Sequence, residues 1–304
     1  MTSVSAALFR QVDVRASLRR DVPRILYVAA WLAAIIGVRA AFFYPIFGMD
    51  SHAYWEAWHR TSLYTTAPGT PNAYLYSPAF AQAMWPAAHL PWPVFKVAYS
   101  ALELVLLVWL LRPLGWRWVV PLTLAGLAEV ADGNIYVLMA VACVVGFRHP
   151  GTWAFPLVTK IAPGLGPLWF AVRRERRSLA ISLGLTAAVV TVSAVIDPLA
   201  WLAWGHLLVA SASGATAPTG AFTVPLVFRA PLGIALVWWG GRRGWRWTLP
   251  IGMVLCSPVV FFGTYTLLAA IPRVMWPERS CPVLKLDIRK RARRGTRLGE
   301  GDKR

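Results

Sequence analysis

The chain has 304 residues, of which 57% are hydrophobic and 14% are charged, yet 31 Lys and Arg against 13 Asp and Glu give it a formal net charge of +18. An average globular domain is about 45–50% apolar and about 25% charged. This composition excludes a disordered chain, a disulfide scaffold and a water-soluble fold. It predicts an integral membrane protein whose basic residues lie outside the hydrocarbon.

The first apolar segment, residues 25–47, has the length of a membrane-spanning helix, which needs about 20 apolar residues. Five arginines precede this segment, so the positive-inside rule places residues 1–24 in the cytoplasm. We therefore expect residues 48–93, which are rich in Trp, Tyr and Pro, to form an extracytoplasmic loop. Residues 94–111 then return to the inner side.

The next two apolar segments are interrupted near their middle. Residues 119–147 are broken at Asp132-Gly133-Asn134, and residues 153–172 are broken after Lys160 by prolines and glycines. Basic residues flank each segment at both ends, so a single span would place one basic end outside. Half-length helices are tolerated in a membrane only where they pack inside the protein or line a wet cavity. The pattern therefore predicts two helical hairpins whose tips, near Asn134 and Lys160, point to the outer side.

The rest of the chain continues the alternation of apolar and basic segments. We expect a span at 178–196, an external segment at 199–222, a returning span at 223–239, a third broken hairpin at 249–271 and a basic cytoplasmic tail, disordered, at 273–304. Together these segments predict an all-α, multi-pass membrane domain over residues 25–272. In this topology the basic residues that are not cytoplasmic are Arg39, Arg60, Lys96, Lys160 and Arg229.

Ionisable side chains at or near membrane depth are costly and therefore indicate function. The acidic candidates are Asp50, Glu56, Glu103, Glu129, Asp132 and Asp197. Asp50 follows the first span among aromatic residues, where it suits two compatible roles: a general base for a sugar hydroxyl, or the cap of a short interfacial helix. Asp50 and His52 also form a weak metal pair without a third carboxylate, so we predict no metal site.

Two cations are candidates for binding a phosphate group at membrane depth, a role that suits cationic donors. Lys160 lies at a helix break inside an apolar hairpin, and Arg229 lies near the start of a returning span. The alternative for each is a snorkelling or ion-paired helix residue, and we favour it for Arg229. Asn134, at the other hairpin tip, is either an uncharged donor and acceptor for a ligand or a simple turn residue.

Short motifs occur in a defined order along the chain. They are Asp50, Tyr54, Leu63-Tyr64, Tyr74-Leu75-Tyr76-Ser77-Pro78, Trp85-Pro86, Leu90-Pro91, Gly133-Asn134-Ile135, Lys160-Ile161-Ala162-Pro163 and Ser257-Pro258. This set resembles glycosyltransferase family 87, the GT-C-type polyprenyl-phosphate-dependent mannosyltransferases that include the phosphatidylinositol-mannoside enzymes. The last three motifs are similar to the family's Gly-Gln-Val, Lys-x-x-Pro and late Ser-Pro elements, and the order agrees over residues 25–271.

The resemblance implies a GT-C-like helix bundle in the cell membrane. Its activity would be the transfer of a sugar, expected to be mannose, from a polyprenyl-phosphate donor to a lipid-linked or glycan hydroxyl on the outer face. It implies an inverting reaction with Asp50 as general base and no cofactor. The concentration of basic residues on one predicted side of the membrane, and not the resemblance, predicts that nucleic acid is not a partner. The motifs of the resemblance assign Tyr54, Tyr64, Tyr76, Asn134, Lys160 and Ser257 to substrate and donor binding. His52 and Arg229 are added to these candidates from their positions alone, beside Asp50 and at membrane depth.

Two alternatives remain open at this point. Broken hairpins and buried charges are also typical of transporters and flippases, which carry out no covalent chemistry. Residues 259–265 contain no His, although the family usually shows one after its Ser-Pro motif. A catalytically inactive member of the family is therefore the second alternative.

Overall fold

The computed structural model describes residues 14–43, 48–68, 70–212 and 224–277, and every regular element within them is helical, as the sequence predicts. The α-helices in chain order are α1 (Val14–Phe43), α2 (Met49–Ala57), α3 (Pro78–Ala83), α4 (Trp85–Ala88), α5 (Trp92–Leu111), α6 (Trp116–Ala125), α7 (Leu127–Asp132), α8 (Tyr136–Gly146), α9 (Ala154–Thr159), α10 (Gly166–Val172), α11 (Arg176–Ile196), α12 (Pro198–Ala212), α13 (Leu226–Arg243), α14 (Thr248–Cys256) and α15 (Ile271–Met275). Three further helices, Arg112–Leu114, Pro150–Trp153 and Phe262–Ala270, are of the 3-10 type.

Three helices in the described part of the chain are long and apolar enough to cross a membrane. They are Asp21–Phe43, Trp92–Leu114 and Arg176–Ile196. Large apolar side chains on them face outward, including Ile25 at 64% exposure and Val195 at 79%. Such faces are costly in water but match lipid tails, so they support the predicted spans at 25–47, 94–111 and 178–196. The helix at the fourth predicted span, 223–239, is not among these three.

The predicted interruptions of the shorter apolar segments are present. The first hairpin consists of α6 and α7 followed by α8, and the second of the 3-10 helix Pro150–Trp153 and α9 followed by α10. In the third, α14 ends at Cys256 and a 3-10 helix with α15 follows. The short helices are packed within the protein, as Trp153, Met139 and Met253 are fully buried.

Two segments that the sequence predicts as an external segment and a tail begin with helical residues. The segment 199–222 begins with α12, a 15-residue helix, while residues 213–223 lie outside the described residues. The predicted disorder of the tail is wrong at its start, because residues 273–275 belong to α15 and buried Arg273 donates to the Trp109 carbonyl at 2.7 Å. Residues 278–304 of the tail, like residues 1–13, lie outside the described part.

The external loop folds into the short helices α2, α3 and α4 around a cluster of aromatic rings. Tyr54 and Tyr76 are in T-shaped contact, with ring centroids 5.0 Å apart, and Phe80 packs on both rings. Tyr74 is also buried in this cluster. Contacts of this kind add to the apolar area that the rings bury, so the loop is a packed cap on the helices.

Helices α1 and α6 approach each other closely at Gly37. A Cβ at this position would stand 2.5 Å from the carbonyl oxygens of Leu124 and Ala125. These are backbone atoms of α6, which cannot rotate away as a side chain can. Small residues allow such close helix approach inside membranes.

We predict that Gly37→Ala lowers the free energy of unfolding by about 1–3 kcal/mol, because the added methyl group forces α1 and α6 apart. The matched control is Gly184→Ala in α11, where a Cβ would meet no atom within 4 Å. Thermal unfolding of the purified protein in detergent measures both variants. Equal melting temperatures for the two would show that the α1–α6 contact is not tight.

Candidate functional site

The first turn of α2 lies against the end of α7. The Gly48 N–H donates to the Ala131 carbonyl at 2.7 Å, and the Asp50 N–H donates to the Asp132 carboxylate at 3.3 Å. Both bonds give partners to N–H groups at a helix start, which have none within their own helix. They hold the backbone of Asp50 at the tip of the first hairpin.

Gly133 permits this close approach of α2. It ends α7 in the left-handed conformation, with φ of 74°, and its N–H donates to the Glu129 carbonyl at 2.9 Å. A Cβ at this position would stand 2.5 Å from Ser51 Oγ. Glycine alone fits both the turn and the contact with α2.

Asn134 joins a carboxylate and a cation. Its Nδ2 donates to Asp50 Oδ2, and its Oδ1 accepts a hydrogen bond from Lys160 Nζ at 3.4 Å. Asn134 is 1% exposed, whereas Asp50 and Lys160 are half-buried. The structure thus brings together three predicted site residues from separate segments, with opposite charges on the two sides of one amide.

Lys160 lies on the faces of two aromatic rings. Its Nζ is 3.9 Å from the ring centroid of Tyr136 and 5.1 Å from that of Tyr76. Tyr76 is held in turn by hydrogen bonds from the Tyr54 hydroxyl to its hydroxyl, at 2.9 Å, and from the Tyr64 hydroxyl to its carbonyl, at 2.7 Å. The ion pairs of the described residues do not include Lys160. Cation–π contacts stabilise the ammonium without neutralising it, so its charge remains available to an anion.

The charges around Asn134 influence each other. Burial raises the pKa of the Asp50 carboxyl, and the positive charge of Lys160 lowers it. Lys160 therefore helps to keep Asp50 in the ionised form that can accept a proton. The site can accept a proton at one point and bind an anion at another.

His52 lies on α2 beside Asp50 but has other partners. Its Nδ1 is 3.0 Å from Asn72 Oδ1, and its ring meets Trp92 edge-on with centroids 4.6 Å apart. In the described part of the chain no group of three or more His, Cys, Asp or Glu side chains is arranged to hold a metal ion. His52 thus contacts Asn72 and Trp92, beside the Asp50–Asn134–Lys160 network and not within it. Its substrate-binding role stays a prediction.

Arg229 and Ser257 lie together at the end of α14. The Arg229 guanidinium donates to the carbonyls of Leu255 and Ser257 at 3.0 Å and of Pro258 at 3.2 Å. Ser257 Oγ donates to the Met253 carbonyl at 2.9 Å. These contacts satisfy the last carbonyls of a helix and favour a structural role for Arg229. The donor-binding roles of both residues stay predictions.

Two residues of the network received no role in the sequence analysis: Asp132 was only one of six acidic candidates, and Tyr136 was not singled out. Asp132 accepts a hydrogen bond from the Asp50 N–H, and the ring of Tyr136 makes a cation–π contact with Lys160. Both lie two residues from Asn134, so proximity to the hairpin tip is the signal that identifies them. Phe261, in the third hairpin, packs on Tyr136 with ring centroids 5.7 Å apart. All three hairpins therefore contribute to this region.

The sequence profile of glycosyltransferase family 87 matches residues 74–284, more than two thirds of the chain. The match includes Tyr76, Asn134 and Lys160 and begins after α2, so Asp50 lies outside it. No curated protein and no solved structure gives a match to the chain.

We predict that Gly133→Ala destabilises the protein more than Gly244→Ala does. Both glycines end a helix in the left-handed conformation, so each substitution costs about 1–2 kcal/mol of backbone strain. At Gly244 the new methyl group meets only Arg173 Nη1, at an ordinary 3.6 Å, whereas at Gly133 it collides with Ser51. Thermal unfolding in detergent measures the loss of stability in each variant. Backbone strain is common to both, so the difference reports the collision with Ser51, and an equal loss would contradict tight docking of α2.

Proposed function

The chain belongs to glycosyltransferase family 87, and we propose that it transfers mannose from a polyprenyl-phosphate donor to a hydroxyl group of a lipid-linked or glycan acceptor. Family membership and three helices that are long enough to cross a membrane make the protein a membrane glycosyltransferase. The sugar, the donor class, the site residues and the topology are the proposed additions. In that topology the protein crosses the cell membrane several times, with cytoplasmic termini and the site on the outer face.

The observation that carries the proposal is the separation of opposite charges by Asn134. A transfer from a sugar phosphate needs a base for the attacking hydroxyl and a cation for the departing phosphate. Asp50 lies on one side of the Asn134 amide, and Lys160 lies on the other. The two needs of the reaction are therefore met at two neighbouring points.

In the proposed reaction Asp50 accepts the proton of the acceptor hydroxyl as its oxygen attacks the anomeric carbon. A new carbon–oxygen bond forms on the face opposite the phosphate, so the configuration inverts. The bond between the anomeric carbon and the phosphate oxygen breaks, and its electron pair leaves with the polyprenyl phosphate. Lys160 stabilises the additional negative charge on that phosphate. The donor is already activated, so the reaction needs no cofactor.

Aromatic side chains beside Asp50 support a carbohydrate substrate. Trp55 and Trp92 are half-buried with ring centroids 5.8 Å apart, and His52 packs against both. Partly exposed rings of this kind bury the apolar faces of ligands while their polar groups stay hydrated. We assign this wall to the acceptor side, next to the base.

The two earlier alternatives differ in what supports them. Membership of a glycosyltransferase family favours covalent transfer over a transporter or flippase. An inactive member would keep the fold without the transfer, and an assay with polyprenyl-phosphate mannose and membranes that contain the protein tests this directly. Absence of transfer from every polyprenyl-phosphate sugar would contradict the proposal.

We predict that Asp50→Asn lowers the transfer rate by about 10²–10⁴-fold, the usual contribution of a general base. Asn keeps the shape of the side chain and the backbone N–H that binds Asp132, so the fold should persist. The matched control is Glu56→Gln. It removes one carboxylate charge from the same helix, but Glu56 pairs with Arg60 and not with Asn134. Full activity of Asp50→Asn would contradict the assignment of Asp50 as the general base.

We predict that Lys160→Gln raises the KM for the donor and moves the acidic limb of the kcat/KM–pH profile to higher pH. The Lys160 charge lowers the pKa of Asp50, so its removal raises that pKa and protonates the base at a higher pH. Lys160→Arg keeps the charge and should keep the position of the limb. An unmoved limb in Lys160→Gln would show that the two groups are not coupled during catalysis.

A further inference from the structure

Arg39 differs from the other basic residues that the predicted topology places outside the cytoplasm. Four of those five residues contact other groups of the chain: Arg60, Lys96, Lys160 and Arg229. In the described part of the chain the side chain of Arg39 makes no hydrogen bond, ion pair or cation–π contact. An arginine stays protonated in proteins, so the charge of Arg39 is available to an anion from outside the chain.

Arg39 lies on a helix that is long and apolar enough to cross the membrane. It belongs to the span Asp21–Phe43 of α1 and is exposed on the surface of that helix. From Arg39 to Phe43 the helix rises by about 6 Å. A charge at this depth is costly unless it reaches the interface or meets a counter-ion, and a long arginine side chain brings the guanidinium to the level of the lipid headgroups.

The same residue lines an apolar groove of about 350 Å³ between α1 and α6. The lining includes Trp31, Ile35 and Phe43 of α1 and Leu124 of α6. This volume lies within the range of small-ligand sites, about 300–1,000 Å³. Arg39 is thus part of the groove and the one charged side chain among its described lining residues.

The groove has about the length of one lipid leaflet. From Trp31 to Phe43 its lining follows α1 for about 18 Å, and half of a hydrocarbon core of about 30 Å is about 15 Å. Arg39 lies near the Phe43 end, where the apolar span ends. The groove therefore fits one extended chain of a lipid whose headgroup lies beside Arg39.

The side of the groove is open to the bilayer. Ile35 is 63% exposed and Phe43 is 80% exposed, and large apolar side chains with this exposure face lipid in a membrane protein. The floor of the groove is rigid, because α1 and α6 approach each other closely at Gly37. A lipid chain can therefore enter from the side and lie against both helices.

We propose that Arg39 and this groove bind one anionic glycerophospholipid of the bilayer, with the headgroup phosphate on the guanidinium and one acyl chain along α1 and α6. A guanidinium binds a phosphate group through two parallel hydrogen bonds. A zwitterionic headgroup carries an ammonium group that Arg39 repels, so the charge favours a lipid with a net negative charge. The site uses no residue of the Asp50–Asn134–Lys160 network, and the inference does not depend on the proposed function.

Photocrosslinking in a bilayer tests this site. The full-length protein is placed in phosphatidylcholine nanodiscs that contain a small fraction of phosphatidylglycerol with a photoreactive acyl chain, and the labelled peptides are identified by mass spectrometry. We expect label on α1 and α6, near Ile35 and Leu124, and displacement of this label by unlabelled phosphatidylglycerol. Phosphatidylethanolamine at the same concentration should displace much less of it.

Two pairs of variants separate the effect of charge from that of shape. Arg39→Gln should lower the label on α1 and α6 by about tenfold, the usual effect of losing one charge-assisted contact, and Arg39→Lys should retain more label than Arg39→Gln does. Ile35→Trp fills the groove and should also lower the label. Its matched control, Ile36→Trp, places the same side chain at an exposed position of α1 outside the lining and should leave the label unchanged.

Three results would overturn the proposal. Equal displacement by phosphatidylglycerol and phosphatidylethanolamine would show that the site does not select a net negative charge. Unchanged label in Arg39→Gln would show that the arginine extends to water and binds no lipid. Displacement by a polyprenyl phosphate at concentrations where phosphatidylglycerol has no effect would assign the groove to a different lipid. Should Arg39→Gln fail to fold, the displacement series on the wild-type protein decides.

Discussion

The hydrogen bonds between the start of α2 and the end of α7 are the contacts on which the rest of the site depends. One helix offers N–H groups that lack partners, and the other offers a carbonyl and a carboxylate, so their dipoles also attract. Broken helices at membrane depth must satisfy such groups within the protein, because little water is present to do so. Asp50 is held through its backbone, and its side chain can therefore point to Asn134.

The amide of Asn134 shows how two opposite charges can both be held close to one group, as the proposed reaction requires. A direct pair between Asp50 and Lys160 would occupy the carboxylate with the cation and leave neither for a substrate. Asn134 binds both, with its NH₂ group on the carboxylate and its oxygen on the ammonium. A buried amide that is satisfied on both sides is also stable in its orientation, which keeps the two charges apart.

Much of the architecture was predictable because charge and helix breakers act locally. Basic residues at both ends of an apolar run, with Gly or Pro between them, predicted the hairpins, and the structure contains these breaks. The meeting of Asn134 with Lys160 is a tertiary contact, so the sequence alone could select each residue but not join them. The contact of Asp132 with the Asp50 backbone could not be predicted for the same reason, since the two residues are 82 positions apart. Arg229 had two readings from the sequence, a phosphate ligand or a structural helix residue, and only the folded chain shows the carbonyls that surround it.

The position of Lys160 between two rings has a consequence for the order in which the protein is assembled during synthesis. The cap that carries Tyr76 and the first hairpin that carries Asn134 and Tyr136 enter the membrane before the second hairpin does. The contact between Asp50 and Asn134 can therefore form first, and the positive charge arrives only when Lys160 has been made and folded back. A nascent chain that stops before this point has Asp50 and Asn134 but no cation, so under the proposed function the second hairpin is the element that makes the site competent for an anionic donor.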